Sequence, residues 1–142
     1  MTLWAAETSL YCPLPVHPSP VAAGFPSPAE DYIEGKLDLN EHLIRKPAAT
    51  FFMRATGQSI VGAGVFPGDL LVVDRSINPR PGDIVIAVVD GELTVKILAR
   101  ASANWSLQSA SPDYPAIELH EGREFSIWGV VTSTIRQFTR RR

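Results

Sequence analysis

Asp90-Gly91 stands between two alternating runs, Ile84 to Val89 and Glu92 to Leu98. A two-residue hairpin turn of this kind needs positive φ at both central positions, and Asp-Gly supplies it at little steric cost. So short a loop leaves no freedom of register. Val89 is expected opposite Glu92, Val88 opposite Leu93, Ile86 opposite Val95 and Ile84 opposite Ile97. Side chains alternate across a strand, so the last three pairs make one apolar face, the expected core. The other face pairs Ala87 with Thr94 and Val85 with Lys96. Lys96 is therefore expected off the main core, flanked by Val85, Ala87 and Leu98.

The chain beyond residue 50 repeats this grammar. Short runs rich in β-formers lie at Phe51 to Ala55, Leu70 to Asp74, Trp105 to Gln108, Ile117 to Leu119 and Phe125 to Ser133. Pro67-Gly68-Asp69-Leu70 and Pro81-Gly82-Asp83-Ile84 begin two strands alike. Proline then glycine suits the centre of a type II turn, because glycine accepts positive φ. Short strands punctuated by such turns predict a mostly β domain.

The first 30 residues cannot join that sheet as a central strand. Six of the twelve prolines fall at Pro13, Pro15, Pro18, Pro20, Pro26 and Pro28. Proline donates no hydrogen bond and breaks helices, so an extended, partly polyproline-like arm is expected. Ser27-Pro28-Ala29-Glu30 has the form of a capped helix start, with Gly35 as its stop. Residues 36 to 47 read as a mixed connection with one helical turn. The expected organisation is an arm at residues 1–23 and a β-rich domain at residues 24–142.

Several chemistries find little support. The formal net charge is −2, so no basic field draws the chain to nucleic acid. Arg140-Arg141-Arg142 is the only basic run and reads as a solvated tail. Cys12 is the single cysteine, which fits a reducing compartment and excludes an intrachain disulfide. His17, His42 and His120 lie at no metal-ligand spacing, so no metal or cofactor is expected. Val21-Ala22-Ala23 looks like a signal cleavage site, but no basic or apolar segment precedes it. No run approaches the roughly 18 apolar residues of a membrane span, so a cytoplasmic location is expected.

Two residues carry a candidate chemistry. Ser59 ends the turn-like run Thr56-Gly57-Gln58-Ser59, and Lys96 follows 37 residues later. A serine hydroxyl needs a base to become a nucleophile. A lysine serves only when neutral, and burial without a counter-charge favours that form. The serine–lysine pair is a known hydrolase variant. Ala23–Gly24, flanked by small residues in an extended arm, is a fitting substrate within the same chain. The plainer alternatives stay open at this point. Lys96 on a polar strand face could be a solvated charge paired with Asp83, diagonal to it. Ser59 could be an ordinary turn residue.

Longer motifs resemble a known family. Leu37-Asp38-Leu39-Asn40, the run from Phe51 to Ser59, Gly68 to Asp74, Gly82 to Ala87, Asp90 to Lys96 and Trp128-Gly129-Val130-Val131 occur in order. Together they resemble the LexA/UmuD family of self-cleaving serine–lysine peptidases over roughly residues 20 to 138. The resemblance implies a peptidase domain of short twisted strands with an extended arm and one short helix. It implies Ser59 as nucleophile, Lys96 as general base and Ala23–Gly24 as the bond cut. It implies a homodimer activated by a RecA–single-stranded DNA filament in the SOS response. The fragment 24–142 would then serve a UmuC-type translesion polymerase subunit. Sequence-specific DNA binding is not expected, since the residues before the cut are proline-rich. Two other readings remain: a non-cleaving dimeric binding module of the same fold, or a signal-peptidase-like protease acting in trans.

Overall fold

The computed structural model describes residues 11–16, 21, 23–24, 35–58, 60–120 and 122–139. It divides into one compact unit up to Arg45 and a second from Lys46 onward.

In the first unit β1 (Leu14–Val16) pairs antiparallel with β2 (Gly35–Leu37), with Pro15 opposite Lys36. Among the described residues each strand pairs on one side alone, so a proline within β1 is tolerated. The helix α1 (Leu39–Leu43) begins where Asp38 caps it, one carboxylate oxygen accepting from the Asn40 N–H at 3.0 Å. The other oxygen accepts from the Cys12 N–H at 3.0 Å, which ties β1's lead-in to the cap. α1 is the helical turn expected between residues 36 and 47. The helix start at Ser27-Pro28 lies outside the described residues. Gly35, expected to end a helix, opens β2 instead.

The second unit is mostly β. Its strands are β3 (Thr50–Arg54), β4 (Leu70–Asp74), β5 (Ile84–Val89), β6 (Glu92–Ala101), β7 (Asn104–Gln108), β8 (Ile117–Leu119) and β9 (Phe125–Ile135). They form one antiparallel sheet in the order β3-β4-β9-β5-β6-β7-β8. The last strand thus enters between β4 and β5. Its pairing shifts register on both sides, next to Val72 and next to Ile86. Such bulges bend a strand and add twist. The hairpin has the expected register, from Val89 with Glu92 to Ile84 with Ile97. Asp90 (φ 50°) and Gly91 (φ 82°) supply the positive φ the turn requires. β6 and β9 outrun their expected ends because Ala101 pairs with Asn104 and Ile135 with Leu70.

The core differs from expectation. One cluster joins Ala55, Ile60, Val65, Leu71, Val73 and Ile86, with Ile84, Val95 and Ile97 packed against it. This is the expected face. A second cluster joins Val85, Ala87, Val89, Leu98, Leu107 and Val130. The face expected to lie off the core is therefore a core of its own. β5 reads Ile-Val-Ile-Ala-Val-Val, a continuous apolar run, as strands buried on both faces do. Leu93 goes the other way: expected in the core, it is 58% exposed next to the hairpin turn.

Candidate functional site

Lys96 lies near the middle of β6, opposite Val85 and two residues before Leu98. Both neighbours belong to the second core, and Lys96 itself is only 8% exposed. Among the described residues no carboxylate lies within ion-pair distance of it. Asp83, the alternative partner, turns back on its own turn and accepts from the Arg80 N–H at 2.8 Å. The ammonium is thus largely removed from water with no carboxylate partner among the described residues. Burial pushes the Lys96 amine below its ordinary value.

A loop covers this lysine. β7 ends at Gln108, paired with Ile97, so the chain leaves the sheet beside Lys96. The Ser109 hydroxyl lies 2.7 Å from the Ser111 carbonyl and 2.8 Å from the Tyr114 carbonyl, which folds residues 109–114 into a tight turn. The Tyr114 ring centroid is then 5.5 Å from Lys96 Nζ. A ring face attracts a cation, so this contact opposes the desolvation in part.

The segment around Ser59 is a loop between β3 and β4. Its base is closed by Ala55 N–H to the Asp69 carbonyl (2.9 Å) and Gly68 N–H to the Ala55 carbonyl (2.8 Å). Ile60 and Val65 anchor it in the first core. A 3-10 turn at Val61–Ala63 follows, and Gly64 (φ 94°) ends it. Ser59 itself lies outside the described residues, but both of its flanks are placed. Gly57 has φ 78°, and the Gln58 carbonyl accepts from the Val61 N–H at 3.2 Å.

The two loops touch. A Cβ on Gly62 would fall 2.9 Å from the Ala110 carbonyl oxygen and 3.1 Å from the Ala110 Cβ. The turn after Ser59 therefore rests on the loop that covers Lys96. A groove of about 330 Å³ is lined by Met53, Ala55 and Thr56 before Ser59 and by Leu93, Thr94 and Val95 of β6, and Lys96 is not part of its lining.

An ion pair braces the same loop from behind. Asp69 is 1% exposed and accepts from Arg136 at both oxygens, from the Phe66 N–H and from Thr134. The Arg136 guanidinium, foremost, holds its carboxyl well below the usual carboxylate range. In the first unit, Ala23 and Gly24 sit in an exposed bend, and a Cβ on Gly24 would meet open space. In sequence they fall between β1 and β2.

Tyr114, Gly62 with Ala110, and Arg136 were not singled out from sequence. Each acts through a contact distant in the chain, and no local pattern marks it. No group of three or more metal-ligating side chains occurs among the described residues. No described helix is long and apolar enough to cross a membrane.

Comparison with known proteins agrees with this architecture. The Peptidase S24-like family matches residues 15–132. Protein ImpA of Escherichia coli is 52% identical over 116 residues, covering 81% of this chain and 78% of that one. Protein SamA of Salmonella typhimurium is 50% identical over 115 residues, covering 81% and 79%. Protein MucA of Escherichia coli is 39% identical over 124 residues, covering 86% and 84%. A mostly β fold, a family match across most of its length and relatives of this similarity place the chain in the Peptidase S24-like family of LexA- and UmuD-type proteins.

Proposed function

We propose that this protein is a self-cleaving serine peptidase that cuts its own arm at Ala23–Gly24. The single observation that carries the reading is Lys96: a buried amine with no described carboxylate partner, beneath a loop that touches the turn following Ser59. A surface charge needs no such setting, whereas a general base at neutral pH does.

In this mechanism neutral Lys96 takes the proton from the Ser59 hydroxyl. The oxygen attacks the Ala23 carbonyl carbon, and N–H groups of the Ser59 turn stabilise the developing oxyanion. The Lys96 ammonium then gives its proton to the departing Gly24 amine as the peptide bond breaks. Water, deprotonated by Lys96, hydrolyses the Ala23 ester and regenerates both groups.

The arm is then residues 1–23 and the product residues 24–142. We assign the product to SOS mutagenesis, as a dimeric accessory of a UmuC-type translesion polymerase subunit. A RecA–single-stranded DNA filament promotes the cut by favouring arm docking and further desolvating Lys96. Support for this role comes from membership of the family and from similarity to ImpA, SamA and MucA.

The test is the intact mass of the purified protein, with and without a RecA–nucleotide–single-stranded DNA filament. The expected product begins at Gly24, and Ser59→Ala gives none. A different start with Ser59 present removes the bond assignment. No cleavage under any condition, including alkaline pH, favours the non-cleaving binding module. Efficient cleavage of a separate arm peptide, with the protein's own arm left whole, favours a protease acting in trans.

A further inference from the structure

We infer that Arg136 is a positioning residue for the nucleophile, clamping the Ser59 loop to the end of β9. The inference rests on the reading of Ser59 as nucleophile. Arg136 directly follows the last residue of β9, and its side chain reaches back across the loop. Nε lies 2.7 Å from Asp69 Oδ1, and Nη2 lies 2.6 Å from Oδ2. Nη2 also donates to the Gly64 carbonyl at 3.0 Å. The guanidinium carbon sits 4.1 Å from the centroid of the Phe66 ring. One side chain thus holds Gly64, Phe66 and Asp69, three points on the ten residues that follow Ser59.

The geometry makes the clamp specific to this loop. Arg136 belongs to neither apolar cluster. Among the described residues its hydrogen-bond partners are Gly64 and Asp69, and Thr134 shares the Asp69 carboxylate with it. Gly64 has left-handed backbone (φ 94°) and closes the Val61–Ala63 turn through its N–H to the Val61 carbonyl (2.9 Å), so the Arg136 bond to its own carbonyl grips the end of that turn. Without Arg136 the Val61–Ala63 turn keeps its anchors at Ile60 and Val65 but loses its tie to β9, so Gly62 is held less firmly against Ala110. Ser59 is two residues from that turn. The planar fork of arginine matches a carboxylate at two oxygens, and lysine reaches only one.

The experiment uses the full chain with Arg136→Ala, Arg136→Lys and, as a control, Leu119→Ala on the edge strand β8, opposite Trp105 and away from the Gln108 end of β7 where the loop over Lys96 begins. Self-cleavage is followed from about pH 7 up to the ordinary lysine range near about 10.4, because burial lowers the Lys96 amine below that range. It is paired with fluorophosphonate labelling of Ser59, thermal melts and amide exchange at residues 60–65. At a temperature where every variant is folded, Arg136→Ala should cleave and label at least tenfold more slowly at every pH. Its pH midpoint should stay unmoved, because Lys96 is untouched. Exchange at residues 60–65 should rise, and Arg136→Lys should recover part of the rate. Leu119→Ala should lose stability yet keep its rate. Wild-type rates in Arg136→Ala overturn the inference, as does an equal slowing by Leu119→Ala. If Arg136→Ala does not fold, a wild-type rate in Arg136→Lys overturns it. A wild-type protein that neither cleaves nor labels defeats the nucleophile reading instead, and exchange at residues 60–65 still tells whether the clamp exists.

Discussion

Gly62 and Ala110 are in backbone contact: a Cβ at Gly62 would lie 2.9 Å from the Ala110 carbonyl oxygen. Residue 62 lies three residues past Ser59, and residue 110 belongs to the loop that covers Lys96. The contact links the two halves of the candidate site. Because the opposing atom is backbone, a side chain at residue 62 has to push one loop away from the other. Gly62→Ala is expected to cost about 1–2 kcal/mol of stability. It should also slow self-cleavage roughly tenfold or more, since a small misplacement of reacting groups is expensive. Cleavage rate and a urea melt on the same sample check this. A variant that is destabilised but cleaves at the wild-type rate would show that the contact is structural only.

The pH dependence follows from Lys96. Its folded amine is depressed by burial, so the neutral base fraction grows as pH rises through that lowered value. Unassisted cleavage should climb over that range and level off below the ordinary lysine range near about 10.4. The stability sign is the same. Unfolded Lys96 binds its proton more tightly than folded Lys96, so this group's penalty is full at low pH. It fades as pH rises from the folded value toward the unfolded one. A cleavage rate flat between about pH 7 and 10 in a folded protein would remove lysine from the mechanism.

Lys96→Met keeps the stem's volume and removes the charge from a site beside Val85 and Leu98. It should abolish cleavage while raising stability by roughly 1 kcal/mol. Lys96→Ala is the poorer test, because truncation at a position only 8% exposed also leaves a cavity. Ser59→Ala should likewise abolish cleavage with the fold intact. A fragment of residues 24–142 carrying Ser59→Ala should still support damage-induced mutagenesis in cells lacking the endogenous protein. If it fails while the same fragment with Ser59 succeeds, the serine does more than cut the arm.

Asp69 predicts the acid behaviour. Its carboxyl is held below the ordinary range, with the Arg136 hydrogen bonds as the largest cause. A depressed carboxyl stabilises fully above its unfolded value, about 3.9, and that stability is lost as pH falls below it toward the folded value. Chemical denaturation at pH 7, 4 and 3 should show a progressive loss of stability. Asp69→Asn should be weaker at pH 7 and lose less on acidification. Parallel pH curves for the two proteins would contradict this role for the pair.

Local chemistry in the sequence determined much of this protein. Asp90-Gly91 needed positive φ and a two-residue loop, so the hairpin register and the strand position of Lys96 could be read directly. Pro67-Gly68 and Pro81-Gly82 set the entries to β4 and β5 for the same kind of reason, with Gly68 at φ 89° and Gly82 at φ 95°. The order of motifs was enough to indicate the family. What surrounds Lys96 was decided only by tertiary structure. Alternation along one strand tells which residues share a face but not what covers that face. Val85 and Ala87 looked peripheral until Leu107 and Val130 joined them in a second core. Asp83 was in reach by register, yet its own turn claimed its carboxylate. The Tyr114 ring over Lys96, the Gly62–Ala110 contact and the Arg136 clamp join residues 18, 48 and 67 positions apart. Such contacts depend on how loops close over a finished sheet, and no short-range propensity encodes them.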